Sequence, residues 1–191
     1  MGRSTAVVLL WIASAIILSL TTATEAATAD DDRPPAERTK ARDVWTELEM
    51  IDLKGERWTG DRLRGHVVLL DFWATWCAPC LAEIPTLRRL HHDLAPRGLV
   101  LLGVAIERTS RRELQSFLDR HDMAWPQVLD RRGFGAPLPK RFGVEAVPRT
   151  VLIDRGGRMV AVDLRGEALA TAARDLVSPP IENERPTSQA R

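Results

Sequence analysis

A seven-residue apolar run, Val67–Trp73, is broken only by Asp71 and ends four residues before Cys77 of the tetrapeptide Cys77-Ala78-Pro79-Cys80. A run that is apolar on both faces belongs to a strand covered from both sides, as in the parallel sheets of α/β proteins. Beyond the tetrapeptide, Leu81, Ile84, Leu87, Leu90 and Leu94 recur at helical intervals. A buried strand that turns straight into a helix brings backbone N–H groups and the positive end of the helix to the junction. That junction holds the only two cysteines of the 191-residue chain.

The remaining pattern extends this unit into an α/β fold. Trp45–Leu53 and Glu56–Thr59 flank the turn residues Lys54-Gly55 and predict an N-terminal β-hairpin. Helical spacing covers Pro79–Leu94 and stops at Gly98, and Leu99–Ile106 is a second continuous apolar run. Ser110–Asp122 predicts an amphipathic helix with Ser110 as cap, Glu113 completing a capping box, and Leu114, Phe117 and Leu118 on the buried face. Gln127–Leu129 is a short strand candidate, and Pro137–Phe142 a single helical turn. Thr150–Asp154 and Met159–Leu164 form a second hairpin about Arg155-Gly156-Gly157-Arg158, and Glu167–Leu176 is a closing helix. The order β-α-β-α-β-β-α predicts a mixed central sheet flanked by helices, with the N-terminal hairpin as an extension.

The two ends of the chain differ from this middle. Arg3, the 15-residue apolar and small-residue run Ala6–Leu20, and Ala27-Thr28-Ala29 together read as an export signal, residues 1–29. The run falls short of the roughly 20 residues that span a bilayer comfortably. The alternative is an uncleaved anchor over residues 6–23. Both readings place the folded domain outside the cytoplasm, in an exported, periplasmic setting where disulfide chemistry is sustained. Residues 30–40 read as a linker, 41–177 as the folded domain, and 178–191 as a disordered polar tail. With 27 basic and 26 acidic residues the net charge is +1, which argues against a nucleic-acid surface.

Two thiols separated by two residues admit three readings: a redox pair, an inert staple, and half of a zinc site. A staple closing so short a loop removes little chain entropy. Zinc needs two further ligands, and His91-His92 lies more than ten residues down the same helix, which would have to unwind. For a redox pair, the first cysteine of the junction is the better nucleophile. The helix directs N–H groups at Cys77, and such thiols have pKa values of roughly 3.5–7.5. Cys80, one turn in, is the resolving thiol. Pro79 suits a first-turn position, where a missing N–H costs little. No metal and no cofactor is called for by this chemistry.

Asp71-Phe72-Trp73-Ala74-Thr75-Trp76-Cys77-Ala78-Pro79-Cys80 resembles the active-site segment of thioredoxins. Leu81-Ala82-Glu83-Ile84-Pro85 and Phe142–Asp154 are similar to the matching segments of the exported TlpA/ResA/CcmG-like branch of that fold. The three segments stand in the family's order, and the resemblance covers about residues 44–176. It implies a thioredoxin-like fold and thiol–disulfide exchange on exported protein substrates.

The resemblance also implies roles. Pro148 matches the cis-proline that faces the cysteine pair, with the Val147 backbone free to pair with an extended substrate segment. The plain alternative is a trans proline opening a strand. Trp76, Ala78 and Pro79 match the docking surface around Cys77, with a core-only role as the alternative for Trp76, whereas Trp73 reads as core. Asp71 matches a buried acid near the resolving cysteine, able to take its proton through water; the alternative is a strand-end Asp facing solvent. Glu83 matches an acid of this branch that tunes the thiols or helps recognise the partner; the alternative is a solvated Glu favouring its own helix N-terminus. Pro85 matches a helix-kinking proline. Arg149 departs from the small polar residue usual beside the cis-proline: it either sits near Cys77 or points to solvent. His121, on a polar face near a helix end, reads as a solvated or capping residue.

As partners the family implies thiol or disulfide proteins, such as apocytochrome c or copper-site cysteines, and a membrane thiol donor of the CcdA/DsbD type. A reductant role follows from the same resemblance. Two other functions compete. A peroxiredoxin-like peroxidase requires a Thr three residues before its cysteine, where this chain has Ala74. A Cu(I)-binding chaperone of the Sco type spaces its cysteines by three residues rather than two.

Overall fold

The computed structural model describes residues 44–46 and 48–178. The predicted export signal 1–29 (or anchor 6–23), the linker 30–40, and the tail beyond Ser178 lie outside the described residues. Among the described residues no helix is long and apolar enough to cross a membrane.

Two strands open the fold, β1 (Glu49–Ile51) and β2 (Arg57–Thr59), paired antiparallel, followed by a short helix α1 (Gly60–Leu63). Then come β3 (Val67–Trp73), α2 (Ala78–Leu94), β4 (Leu99–Ala105), α3 (Arg111–Arg120), β5 (Gln127–Leu129), α4 (Pro137–Arg141), β6 (Arg149–Ile153), β7 (Met159–Val162) and α5 (Gly166–Val177). The central sheet has the order β5-β4-β3-β6-β7. Strands β3, β4 and β5 run parallel, and β6 is antiparallel to both of its neighbours. This is the predicted mixed sheet with its N-terminal hairpin.

All seven residues of β3 are buried, and their alternation divides the core. Val67, Leu69 and Trp73 face a cluster built with α2, α3 and α5. Val68, Leu70 and Phe72 face a second cluster completed by Met50, Trp58 and Leu63. Asp71 falls between Leu69 and Trp73 and so lies on the face covered by α2 and α5.

The predicted capping box at α3 is present: the Ser110 Oγ accepts from the Glu113 N–H, and the Glu113 carboxylate accepts from the Ser110 N–H. The hairpin differs from expectation at its start. Residues 44–46 form a turn rather than the beginning of a strand. Arg141 takes the carbonyls of Val44 and Thr46 at 3.0 and 2.6 Å, so they are spent on a helix end instead of a ladder. At the other end of the fold, β7 stops two residues short of its predicted end, because Asp163 adopts a φ of 60° and turns the chain.

One glycine is required by packing beside the site. A Cβ at Gly103 of β4 would lie 2.1 Å from the Gln127 side chain. With that atom absent, the Gln127 Oε1 accepts the Trp73 indole N–H at 2.9 Å and holds this large side chain in the core.

Candidate active site

The parallel strands β3 and β4 end at the same edge of the sheet, and the chain leaving β3 makes a tight turn there. The Cys77 N–H donates to the Ala74 carbonyl at 3.1 Å. Cys77 is then the N-cap of α2, with Pro79 in the first turn, as its fixed φ and missing N–H favour. Cys77 and Cys80 are joined by a disulfide. The Cys80 N–H points at the Cys77 Sγ at 3.3 Å. When the bond opens, the same N–H and the helix N-terminus favour a thiolate on Cys77. Both sulfur residues are buried, while Trp76, immediately before them, is 63% exposed. Trp76 is therefore a surface residue beside the sulfur and Trp73 a core one.

Register places the second wall of the site. Arg149 pairs with Phe72 and Thr150 with Asp71, so the residues before Arg149 continue past the end of β3 toward the cysteine turn. The Val147–Pro148 peptide bond is cis, as the resemblance implied. The Arg165 guanidinium donates to the Pro148 carbonyl at 2.9 Å. The Arg149 guanidinium is engaged by Asp163 at 2.8 Å, an ion pair at the rim.

Asp71 is 4% exposed, so the solvent-facing alternative does not hold. Burial in the apolar interior pushes its carboxyl up to about 7, with the nearby Glu83 charge acting in the same direction. Near neutral pH this group gains or loses a proton readily, as a general base must. Glu83 is half-buried and does not serve the N-terminus of its own helix. Its Oε2 accepts the Gly166 N–H at 2.8 Å, at the start of α5. Gly166 has a φ of 53°, a conformation that suits glycine. The helix end so formed holds the Glu83 carboxylate close to Asp71.

Elsewhere, His91 is half-buried against Trp125 with ring centroids 6.1 Å apart, and His92 pairs with Asp93. Pro85 lies inside α2. His121 ends α3 and stacks on Phe117. One buried acid at this edge has no counterpart in the sequence reading: Glu107, 6% exposed, accepts the Thr75 N–H at 2.5 Å. It stands just past the second apolar run. Its only sequence signal is a charge at a strand end, which ordinary loops share.

Residues 40–162 match the AhpC/TSA family. The thiol-disulfide oxidoreductase ResA of Halalkalibacterium halodurans is 30% identical over 130 residues, covering 67% of this chain and 72% of ResA. The thioredoxin-like protein YneN of Bacillus subtilis is 31% identical over 112 residues, 58% of this chain and 64% of YneN. This chain thus spans just under two thirds of YneN, and 65% of the ResA of Bacillus thuringiensis. Among solved structures, the thioredoxin domain of a thiol-disulfide oxidoreductase from Bacteroides vulgatus superposes with a TM-score of 0.62. It is 26% identical, and the match covers 69% of this chain and 93% of that domain.

Proposed function

Because this chain belongs to the AhpC/TSA family, in its ResA-like thioredoxin-fold branch, we propose that it is a thiol–disulfide oxidoreductase acting through Cys77 and Cys80. The observation that carries this reading is the disulfide at a helix N-cap, with the Cys80 N–H aimed at the Cys77 sulfur.

In the reducing direction the Cys77 thiolate attacks one sulfur of a substrate disulfide. A mixed disulfide forms, and the first substrate sulfur leaves as a thiolate that takes a proton from water. Cys80 then gives its proton to the Asp71 carboxylate through water and attacks the Cys77 Sγ. The second substrate thiolate departs and the Cys77–Cys80 disulfide closes. Two electrons pass from the dithiol to the substrate, and no other redox partner takes part in the step. Trp76, Ala78, Pro79, the Val147 backbone and cis-Pro148 form the surface on which an extended substrate segment docks. Glu83 acts through Asp71.

The finer reading is a reductant of exported proteins, with cysteines of cytochrome c or metal-site assembly as substrates and a membrane dithiol donor of the CcdA/DsbD type re-reducing the pair. Its supports are the export-signal (or anchor) pattern read in residues 1–29 and the resemblance to ResA-like proteins. Trapping with Cys80→Ser tests the whole: Cys77 should retain its natural partner as a mixed disulfide, because the resolving step is gone. If Cys77 alkylates normally but captures nothing, the exchange reading fails. Equilibration with glutathione tests direction. Related dithiols span about −120 to −270 mV; a value at the oxidising end overturns the reductant role.

A further inference from the structure

The turn that presents Cys77 has one backbone N–H held by a side chain from a distant part of the chain. The Cys77 N–H closes the turn on the Ala74 carbonyl, and the Cys80 N–H serves the Cys77 sulfur. The Thr75 N–H, in the same turn, makes no backbone hydrogen bond among the described residues. Thr75 is half-buried, and an amide shielded from water without an acceptor costs free energy comparable to a lost hydrogen bond. The acceptor comes from the neighbouring strand. The Ile106 N–H donates to the Trp73 carbonyl at 2.8 Å, which extends the β3–β4 pairing by one rung past Ala105. The next residue, Glu107, is thereby brought beside the turn, and its Oε1 takes the Thr75 N–H at 2.5 Å.

A carboxylate that is 6% exposed is an expensive group to bury for a contact that a water molecule could make at an open loop. A charged acceptor holds an N–H about twice as strongly as a neutral one. The held residue is two positions before Cys77, so its Cα lies within about 7 Å of the Cys77 Cα along the chain. Trp76, the exposed docking residue, lies between them.

We propose that Glu107 is a positioning residue for the exchange reaction, fixing the Ala74–Cys77 turn through the Thr75 N–H so that Trp76 and the Cys77 sulfur meet a substrate disulfide in one geometry. This rests on the exchange reading above. Glu107 touches neither sulfur nor substrate and acts through the backbone of the turn. An amide oxygen in the same place makes the same contact with less strength, whereas a methyl group makes none.

The test compares the full chain with Glu107→Ala and Glu107→Gln, each checked for cooperative unfolding. The readouts are the rate of reduction of insulin disulfides and the dithiol–disulfide equilibrium with glutathione. The expected result for Glu107→Ala is a loss of about tenfold in kcat/KM and a several-fold displacement of the equilibrium, with most of both restored in Glu107→Gln. A Glu107→Ala protein that matches the unsubstituted chain in both readouts overturns the proposal. So does a Glu107→Gln protein as impaired as Glu107→Ala, since the contact would then not be what matters.

Should Glu107→Ala fail to fold, Glu107→Asp shortens the side chain by one methylene and withdraws the acceptor from the Thr75 N–H instead. The same loss of rate is expected there, and unchanged kinetics overturn the proposal. If the unsubstituted chain neither reduces insulin nor equilibrates with glutathione, it is the exchange reading that has failed. Variants that differ from an active parent, or match it, speak to Glu107 alone.

Discussion

Asp52 in the N-terminal hairpin and Asp71 in the central strand are buried to nearly the same degree, 2% and 4% exposed, yet their carboxyls move in opposite directions. Burial raises both. At Asp52 it is outweighed by the Trp58 indole N–H at 3.1 Å, followed by the N–H groups of Glu56 at 2.9 Å and Lys54 at 2.8 Å, and its pKa falls below the ordinary value. At Asp71 burial is reinforced by Glu83 and the carboxyl rises to about 7. Solvent exposure alone therefore does not decide what such a carboxylate does; its depth in the apolar interior and the donors around it decide together. The hairpin acid is surrounded by donors and closes a turn. The strand acid is left in an environment that suits a group exchanging a proton near neutrality.

The strongest way to break this comparison is to remove the hairpin acid. Asp52→Ala leaves the Trp58 indole and two backbone N–H groups without their acceptor. The expected loss is about 3 kcal/mol of stability, read from the midpoint of urea unfolding at unchanged slope. Exchange activity, measured well below the new transition, should stay within twofold of the parent. A large fall in activity with the fold intact would mean that the two acids are not separable in function. The pH dependence has a definite sign. Asp52 has a depressed pKa, so its contribution is present above the unfolded value of 3.8 and is lost as pH falls through the folded value.

Asp71→Asn is expected to produce the next largest effect, in the opposite sense. Removing a general base should slow the resolving step by roughly a hundredfold, the low end for such groups, while the first attack by Cys77 is little changed. Stopped-flow release from a Cys77 mixed disulfide separates the two steps. Equal slowing of both would sink the assigned role. For stability, a raised pKa means a contribution fully present below the unfolded value of 3.8 and lost as pH rises through about 7. Asp71→Asn should therefore be more stable than the parent at pH 8, with the difference shrinking toward pH 4. Parallel thermal-unfolding curves across that range would contradict it.

The two acids also differ in how legible they were. Asp71 stands out because a charge interrupts an apolar run in which every neighbour must be buried. Asp52 falls near the end of the strand candidate Trp45–Leu53, beside the Lys54-Gly55 turn, where nothing in the pattern singles it out. Its burial follows from tertiary contacts: a bridge to Val128, and the Leu53 N–H on the Gln127 carbonyl at 2.8 Å. Local pattern carries no such information. The cysteine turn, the order of elements and the α3 capping box were readable because each is a short-range arrangement. Glu83 was visible as an acid near the cysteines, but its partner is Gly166, 83 residues away in sequence. Glu107 depends on the register between β3 and β4. Sheet register joins residues that no spacing rule connects.

Glu83→Gln is the smallest and sharpest probe, because it removes the like charge and leaves an oxygen able to accept the Gly166 N–H. Of the two causes that raise the Asp71 carboxyl, burial is the larger and is untouched by this change. The Asp71 pKa should then fall only part of the way back toward 3.8. The pH midpoint of the resolving step should move below about 7, with the plateau rate at high pH within a few-fold of the parent. Global stability should change little. A pH profile of mixed-disulfide resolution for parent and variant measures the shift directly. An unmoved midpoint would show that burial alone holds Asp71 where it is, reducing the contrast with Asp52 to the presence or absence of hydrogen-bond donors. A midpoint shifted upward would contradict the electrostatic account altogether, since losing a neighbouring negative charge cannot make a carboxyl harder to ionise.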